Sequence, residues 1–170
     1  MKAVQQWRTC QSTTSRGLQE TMTTFTNFPD VLKGIFQDQP LAVLATSAGT
    51  APYADLVAVA FSLDLRYLFF AASRTTRKWR NLSSNPRVSL LMDNRSNQRG
   101  DLDKTAAATI IGNAKDLIGV DREEGQNLYL ARHGHLADFV AAPDCALFQV
   151  SIERIYLVTH FQEVMQFDYT

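Results

Sequence analysis

The stretch FFAASRTTRKWRNLSSNPRVSLL, Phe69 to Leu91, places a short basic segment between two apolar runs. No Asp or Glu occurs from Arg66 to Met92, whereas the whole chain of 170 residues is balanced, with 17 basic and 17 acidic residues. The local sequence therefore supplies no partner for the charge of this segment, and we interpret this charge as unpaired. The basic residues in question are Arg74, Arg77, Lys78 and Arg80.

Composition limits the function classes that this charge can serve. The content of 45% hydrophobic residues is typical of a packed globular domain. An even charge balance argues against a general nucleic-acid or membrane-surface binder, so we expect neither partner. No apolar run approaches the ~20 residues that span a bilayer. The N-terminal residues 1–17 lack the apolar core of a signal peptide, and we expect a cytoplasmic protein.

The order of apolar and polar runs predicts a mainly antiparallel β-barrel with small peripheral helices. Residues 1–28, rich in Ser and Thr over 9–26, are predicted to be an extension, and 29–170 the barrel domain. Gly49 suits a turn with positive φ, and Gly112 a β-bulge. Helices are predicted from residue 30 to Pro40, from Thr75 or Thr76 to Asn85, over 121–132 and at 136–140. Strands are predicted at 41–46, 54–63, 67–72, 87–92 and 105–117, with one bent strand or two over 146–161.

The basic segment SRTTRK has the composition of an anion site. A helix beginning at Thr75 or Thr76 would present unsatisfied amide N–H groups and the positive end of its dipole. Hydroxyls, the planar fork of Arg77 and the point charge of Lys78 would add donors suited to phosphate. The alternative is a solvated surface helix with an ordinary threonine cap. RNA with Trp79 as a stacking residue is a third possibility, although Trp79 falls on the apolar helix face, which favours core packing.

The same stretch resembles the FMN-binding segment of the pyridoxamine 5′-phosphate oxidase-like split-barrel family. The resemblance rests on an apolar strand, Thr76-Arg77-Lys78, a short helix, Asn85-Pro86-Arg87 and a second apolar strand. It extends to ATIIGNAKDL, 108–117, and ALFQVSIERIYLV, 146–158. It implies a split β-barrel, and a homodimer with FMN at the subunit interface.

The resemblance also implies which residues bind the cofactor. Thr76, Arg77 and Lys78 would hold the 5′-phosphate of FMN, Ala71 and Ala72 would lie beside the isoalloxazine ring, and the strand 56–61 would contribute backbone contacts. The polar loop 93–98 would contact the flavin, including from the partner subunit, or would be an ordinary turn. The full predicted set is Leu56, Val57, Ala58, Val59, Ala71, Ala72, Ser73, Thr76, Arg77, Lys78, Asn94, Ser96 and Asn97.

Three departures from the family pattern argue against vitamin B6 as substrate. Leu56 and Phe61 stand where the oxidases carry a basic pair, and Ala107 stands where they carry a ring-binding Gln. The segment 159–161 replaces their Arg-x-His. We therefore expect a flavin-dependent oxidoreductase acting on another small organic substrate, with a nicotinamide donor as one option. No catalytic residue is predicted, because flavin chemistry needs no protein nucleophile.

The histidines and cysteines leave alternatives open. A haem-binding or haem-degrading protein would use His160 or His133 as an axial ligand, and a non-enzymatic flavin-binding module would use neither. His133 and His135 have the spacing of a metal pair but lack a third ligand, which favours a loop or helix-cap role, and no metal site is predicted. His160 would face the flavin or be structural. Cys145 lies in an apolar run and reads as a buried, inert thiol.

Overall fold

A computed structural model describes residues 6–9, 29–96, 105–159 and 163–169. The helices are α1 Asp30–Asp38, α2 Arg77–Ser84, α3 Gly119–Arg132 and α4 Ala137–Ala141, with a 3₁₀ turn at Gly134–Leu136. The strands are β1 Gln6–Thr9, β2 Leu41–Ala48, β3 Ala51–Ala58, β4 Ala60–Phe61, β5 Tyr67–Ser73, β6 Arg87–Asp93, β7 Ala107–Asp116, β8 Cys145–Thr159 and β9 Glu163–Asp168.

The strands form one antiparallel sheet that curls into a split barrel. Its order is β1-β9-β8-β7-β6-β2-β3, while β5 pairs with both β4 and β8. Only Val59 separates β3 from β4, so the pairing follows a ring through β2, β3, β4, β5, β8, β7 and β6. The predicted fold class, an antiparallel split barrel with peripheral helices, is confirmed.

Two apolar clusters fill the structure, and β5 separates them. Leu68, Phe70 and Ala72 face the barrel interior, and the intervening Phe69 and Ala71 pack against the second cluster with α3 and α4. This strand is buried on both faces, which explains its nearly continuous apolar sequence. Tyr129 of α3 lies in the second cluster, where burial raises its pKa to about 12.

The turns agree with the sequence in detail. Gly49 has φ of 60°, so the turn between β2 and β3 is the tight Gly49-Thr50 pair rather than the whole of 47–53. The predicted bulge lies between Ile111 and Gly112 of β7. Of the predicted range 146–161, the described residues 146–159 belong to one strand of 15 residues, Cys145–Thr159.

Two strands at the edge of the sheet were not predicted. β9 carries a single fully buried apolar residue, Phe167, and so lacks a strong alternating pattern. β1 pairs with it, Gln6 opposite Asp168, although it lies in the predicted extension. The division at residue 28 remains a prediction.

Cys145 is buried, as expected, and burial raises the pKa of its thiol, which favours an inert protonated form. Among the described helices, none has the length and apolar character needed to cross a membrane.

Candidate functional site

The turn from β5 into α2 is set by hydroxyl groups. Thr76 is the N-cap, and its Oγ1 accepts a 3.4 Å hydrogen bond from the amide of Trp79. The same hydroxyl donates to the Ser73 carbonyl oxygen at 2.7 Å. Ser73 Oγ is held in turn by Asp144 Oδ2 at 2.8 Å. The helix therefore begins at Arg77, and its first turn carries the predicted phosphate residues.

Two of the basic residues that have no acidic neighbour in the local sequence form ion pairs in the fold. Arg74 binds Asp116 of β7, with the shorter N–O distance 2.5 Å. Lys78 Nζ lies 2.6 Å from Asp55 Oδ2 of β3. The interpretation of this charge as unpaired is thus wrong for both residues, because their acids come from strands distant in sequence.

Arg77 remains the exposed cation of the turn. Within the described residues it has no carboxylate at ion-pair distance, and its guanidinium lies 4.9 Å from the ring centre of Tyr53 on β3. Together with the Lys78–Asp55 contact, this joins the start of α2 to β3. The structure thus brings Arg77 and Lys78 beside the strand that begins the predicted flavin contacts at Leu56.

The predicted strand residues alternate between surface and core. Leu56 is 62% exposed, whereas Val57 and Val59 are buried in the barrel and Ala58 packs partly against the second cluster. Ala71 and Ala72 are both buried, on opposite faces of β5. A ligand in this chain would therefore meet the edge of β3 and the end of β5 at Ser73 rather than an open alanine surface.

The loop predicted to contact the flavin follows the end of β6 that is remote from Arg87. Asn94 follows β6, and its Oδ1 accepts a 2.8 Å hydrogen bond from the Ala106 amide, which closes the loop. β6 starts at Arg87, just after the C-terminal end of α2, and its seven residues carry Asn94 roughly 20 Å from Arg87. Ser96 is exposed, and Asn97 lies outside the described residues.

Buried amide and hydroxyl groups fix α2 on the barrel. Asn81 Nδ2 donates to Thr46 Oγ1 of β2 at 2.9 Å, and both residues are buried. Asn85 Nδ2 donates to Ser47 Oγ at 3.0 Å. These side chains position the basic first turn relative to β3, and the sequence signals for them were weak because Asn and Thr are ordinary surface residues.

Replacing Thr46 by valine is expected to lower the free energy of unfolding by about 1–3 kcal/mol, because the buried Asn81 amide loses its acceptor. Urea denaturation measures the change. Ser83→Ala on the same helix is the control, since the exposed Ser83 hydroxyl donates to the Trp79 carbonyl oxygen of its own helix. Equal stability of the Thr46 variant and the wild type would contradict this role of the pair.

Two other candidate ligand-binding side chains, Trp79 and His133, make contacts within the protein. Trp79 packs against the barrel core, with the Arg74 guanidinium 5.9 Å from its ring centre. His133 is buried at the end of α3, and its Nε2 donates to the Val59 carbonyl oxygen at 2.8 Å. In the described part of the chain no group of three or more His, Cys, Asp or Glu could hold a metal ion. His160 lies outside the described residues.

A cavity of about 570 Å³ opens away from the basic turn, between α1, β4 and α3. Phe36 and Phe61, stacked with ring centres 4.2 Å apart, form part of its wall, and Lys33 and Arg132 are its cationic residues. Arg132 donates to the Phe36 carbonyl oxygen at 2.8 Å, so it also caps the end of α1. Sequence reasoning missed this cavity because its walls come from three separate segments.

A row of apolar side chains crosses the outer face of the sheet. Val43 of β2 lies opposite both Leu56 of β3 and Leu91 of β6, so the three side chains share one face. Leu56 and Leu91 are exposed. The row continues to Thr109 and Tyr156 in register. This row is the candidate interaction surface of the sheet.

Comparison with known proteins places this geometry in context. The family model described as pyridoxamine 5′-phosphate oxidase matches residues 28–159. No curated protein matches the sequence.

Solved structures share the fold at low identity. A heme binding protein from Mycobacterium smegmatis is 19% identical with a TM-score of 0.70, covering 81% of this chain and 55% of that one. A fad-binding protein from Mesorhizobium loti is 16% identical with a TM-score of 0.59, covering 81% and 92%. HutZ, the heme storage protein from Vibrio cholerae, is 20% identical with a TM-score of 0.58, covering 75% and 91%. The chain thus spans about half the length of the Mycobacterium protein, and these likenesses concern the fold.

Proposed function

The chain belongs to the pyridoxamine 5′-phosphate oxidase family, and we propose that it binds FMN and acts as a flavin-dependent oxidoreductase on a small organic substrate. The observation that carries this proposal is the exposed Arg77 at the first turn of α2, beside β3. A cationic helix start next to a strand edge suits a ligand with a phosphate at one end and a flat ring at the other.

The donor set of the turn fits a phosphate. Arg77 offers a planar fork and the first turn of α2 its amide N–H groups, whereas the Thr75 hydroxyl is bonded to Ser73 Oγ at 2.8 Å. Thr76 contributes by setting the helix start, since its hydroxyl already serves as the cap. When bound, the flavin would supply hydride and electron transfer. The chain's own part is to orient the ring along β3 and to exclude water.

A second copy of the chain would complete the site. The apolar row of Val43, Leu56 and Leu91 gives an outer face on which an identical subunit can pack. Such packing would place the loop of one subunit, with Asn94 and Ser96, within reach of the other subunit's flavin. The apolar face supports a homodimer with the cofactor between subunits.

Light scattering and sedimentation are expected to give a dimer for the wild type and a monomer for Leu56→Asp. A carboxylate buried without a partner at an apolar interface costs several kcal/mol. Leu63→Asp is the matched control, because Leu63 is fully exposed at the turn between β4 and β5 and lies off the apolar row. A flavin-loaded wild-type monomer would contradict the assembly.

Purification followed by an absorption spectrum tests the cofactor, and mass analysis of whatever is released identifies it. We expect a flavin spectrum and the mass of FMN. A haem-binding role is the second candidate, because heme proteins from Mycobacterium smegmatis and Vibrio cholerae share this fold. His133, one proposed axial ligand, is buried and already bonded to Val59. A haem absorption band in place of a flavin band would support that candidate over ours.

Pyridoxamine phosphate is expected not to reduce the bound flavin. That substrate carries its own phosphate and needs a second basic site, whereas Leu56 and Phe61 are apolar. The measurement is flavin bleaching without oxygen, first with pyridoxamine phosphate and then with NADH or NADPH. Rapid bleaching by pyridoxamine phosphate, with turnover once oxygen is admitted, would show that these two positions were misinterpreted.

A further inference from the structure

The phosphate-binding turn contains an internal carboxylate. Lys78 Nζ lies 2.6 Å from Asp55 Oδ2, and the two side chains are only 14% and 21% exposed. Asp55 is on β3, directly before Leu56, so the ion pair lies between the two elements that would hold the ligand. The amine that the sequence assigns to a phosphate is thus occupied by the protein itself.

The second oxygen of this carboxylate adds to the effect. Asp55 Oδ1 is buried and has no hydrogen-bond partner among the described residues. Lys78 is therefore the cation that balances the Asp55 carboxylate, because no other donor among the described residues bonds to it. An anion arriving at Lys78 would meet a negative charge a few ångströms away, and like charges in a partly buried site repel strongly.

We propose that Asp55 is a specificity-determining residue that competes with the ligand's phosphate for Lys78. This inference rests on the proposed function and refines it. Arg77, which has no carboxylate partner in the described chain, carries the attraction for the phosphate, and Asp55 lowers it. The site therefore discriminates against dianionic phosphates more than a turn with two uncommitted cations would.

The test compares FMN with riboflavin, which differ only in the phosphate, by titrating flavin fluorescence in wild type and Asp55→Asn. Removing the carboxylate is expected to tighten FMN by about tenfold to a hundredfold, because a charged hydrogen bond of Lys78 becomes available. Riboflavin is expected to stay within about twofold, since neutral ligands feel little of this charge. A purely structural ion pair would instead lower the affinity for both ligands together.

A second variant covers the case in which a lone buried Lys78 prevents folding. Lys78→Gln combined with Asp55→Asn, which buries no charge, is compared with the wild type. Because Asp55 occupies Lys78 in the wild type, the combined variant is expected to keep the wild-type ratio of FMN to riboflavin affinity within about twofold, whereas loss of a Lys78 that holds the phosphate would weaken FMN by about tenfold or more. Asp121→Asn is the matched control, because Asp121 pairs with Lys115 at 2.9 Å on the surface, outside the basic turn. It should leave the ratio of FMN to riboflavin affinity unchanged.

Failure of this inference can be told from failure of the proposed function. An unchanged ratio in Asp55→Asn, or a weaker preference for FMN in the combined variant, with FMN still bound by the wild type, overturns the competition and leaves the flavin proposal standing. Absence of flavin binding in every folded variant overturns both. A wild type that binds the two flavins equally, together with an Asp55→Asn variant that prefers FMN, supports the competition.

Discussion

Replacement of Arg77 by alanine is expected to weaken FMN binding by about tenfold to a hundredfold, the worth of one charged hydrogen bond. Riboflavin affinity should barely change, because riboflavin has no phosphate for this residue to bind. Wild-type protein is accordingly expected to prefer FMN. Fluorescence titration of each flavin against wild type and variant measures the difference.

Arg80→Ala is the matched control for this prediction. Arg80 is an exposed arginine on the same helix but lies beyond the first turn, where the helix amides are already bonded within the helix. Its loss should leave both affinities within about twofold, because a solvent-exposed charge that makes no direct contact with the ligand contributes little. Loss of FMN and riboflavin in equal measure from Arg77→Ala would contradict a phosphate contact.

The largest expected effect on stability comes from Gly112→Ala. A Cβ at Gly112 would lie 2.3 Å from the Ser151 carbonyl oxygen and 2.8 Å from Val150 Cγ1. The first of these is a backbone atom, so β7 and β8 would have to separate at the bulge. We expect the free energy of unfolding to fall by about 3 kcal/mol, as in other overpacked sites. Urea denaturation at a fixed protein concentration measures it.

Gly34→Ala supplies a control with the same chemical change. A Cβ at Gly34 of α1 meets nothing within 4 Å, and alanine in a helix is favoured over glycine by about 0.5–1 kcal/mol. This variant is expected to be slightly more stable than the wild type. If Gly112→Ala were equally well tolerated, the close approach of the two strands at the bulge would be wrong.

The segment from β5 to β6 was predictable because its signals are local. Thr76 can cap a helix with its own hydroxyl, and Asn85-Pro86 must end one. The apolar runs on either side are shorter than typical helices and are bounded by turn residues, so they predict strands. The predicted bulge at Gly112 had the same basis, since a lone glycine inside a strand pattern marks a close approach.

The ion pairs of the site could not be predicted from the local sequence. Asp55 precedes Lys78, and Asp116 follows Arg74, by long stretches of sequence, so only the barrel brings the pairs together. A local search for acids near the basic segment finds none and predicts a stronger anion site than the fold provides. Tertiary contacts determine how much of a cluster's charge is available to a ligand.

The strand break at Val59 was missed for a related reason. The run 54–63 is apolar except for Asp55 and Ser62, and no glycine or proline marks a bend. Its first part pairs with β2 and its last part with β5, so the change of partner is decided by barrel closure and not by local propensity. The buried Val59 packs in the core at this position, which lets the chain turn without a special residue.

β8 pairs with β5, β7 and β9, and it is the longest strand of the barrel. During synthesis, Ala72 and Ser73 of β5 therefore cannot pair until Cys145–Ala146 of β8 have left the ribosome. Strand pairing across such a separation in sequence forms slowly, and an unpaired apolar strand is prone to pair with other chains. Until β8 arrives, Phe69 and Phe70 stay uncovered on the nascent chain, so we expect this segment to be the place where chaperones engage it.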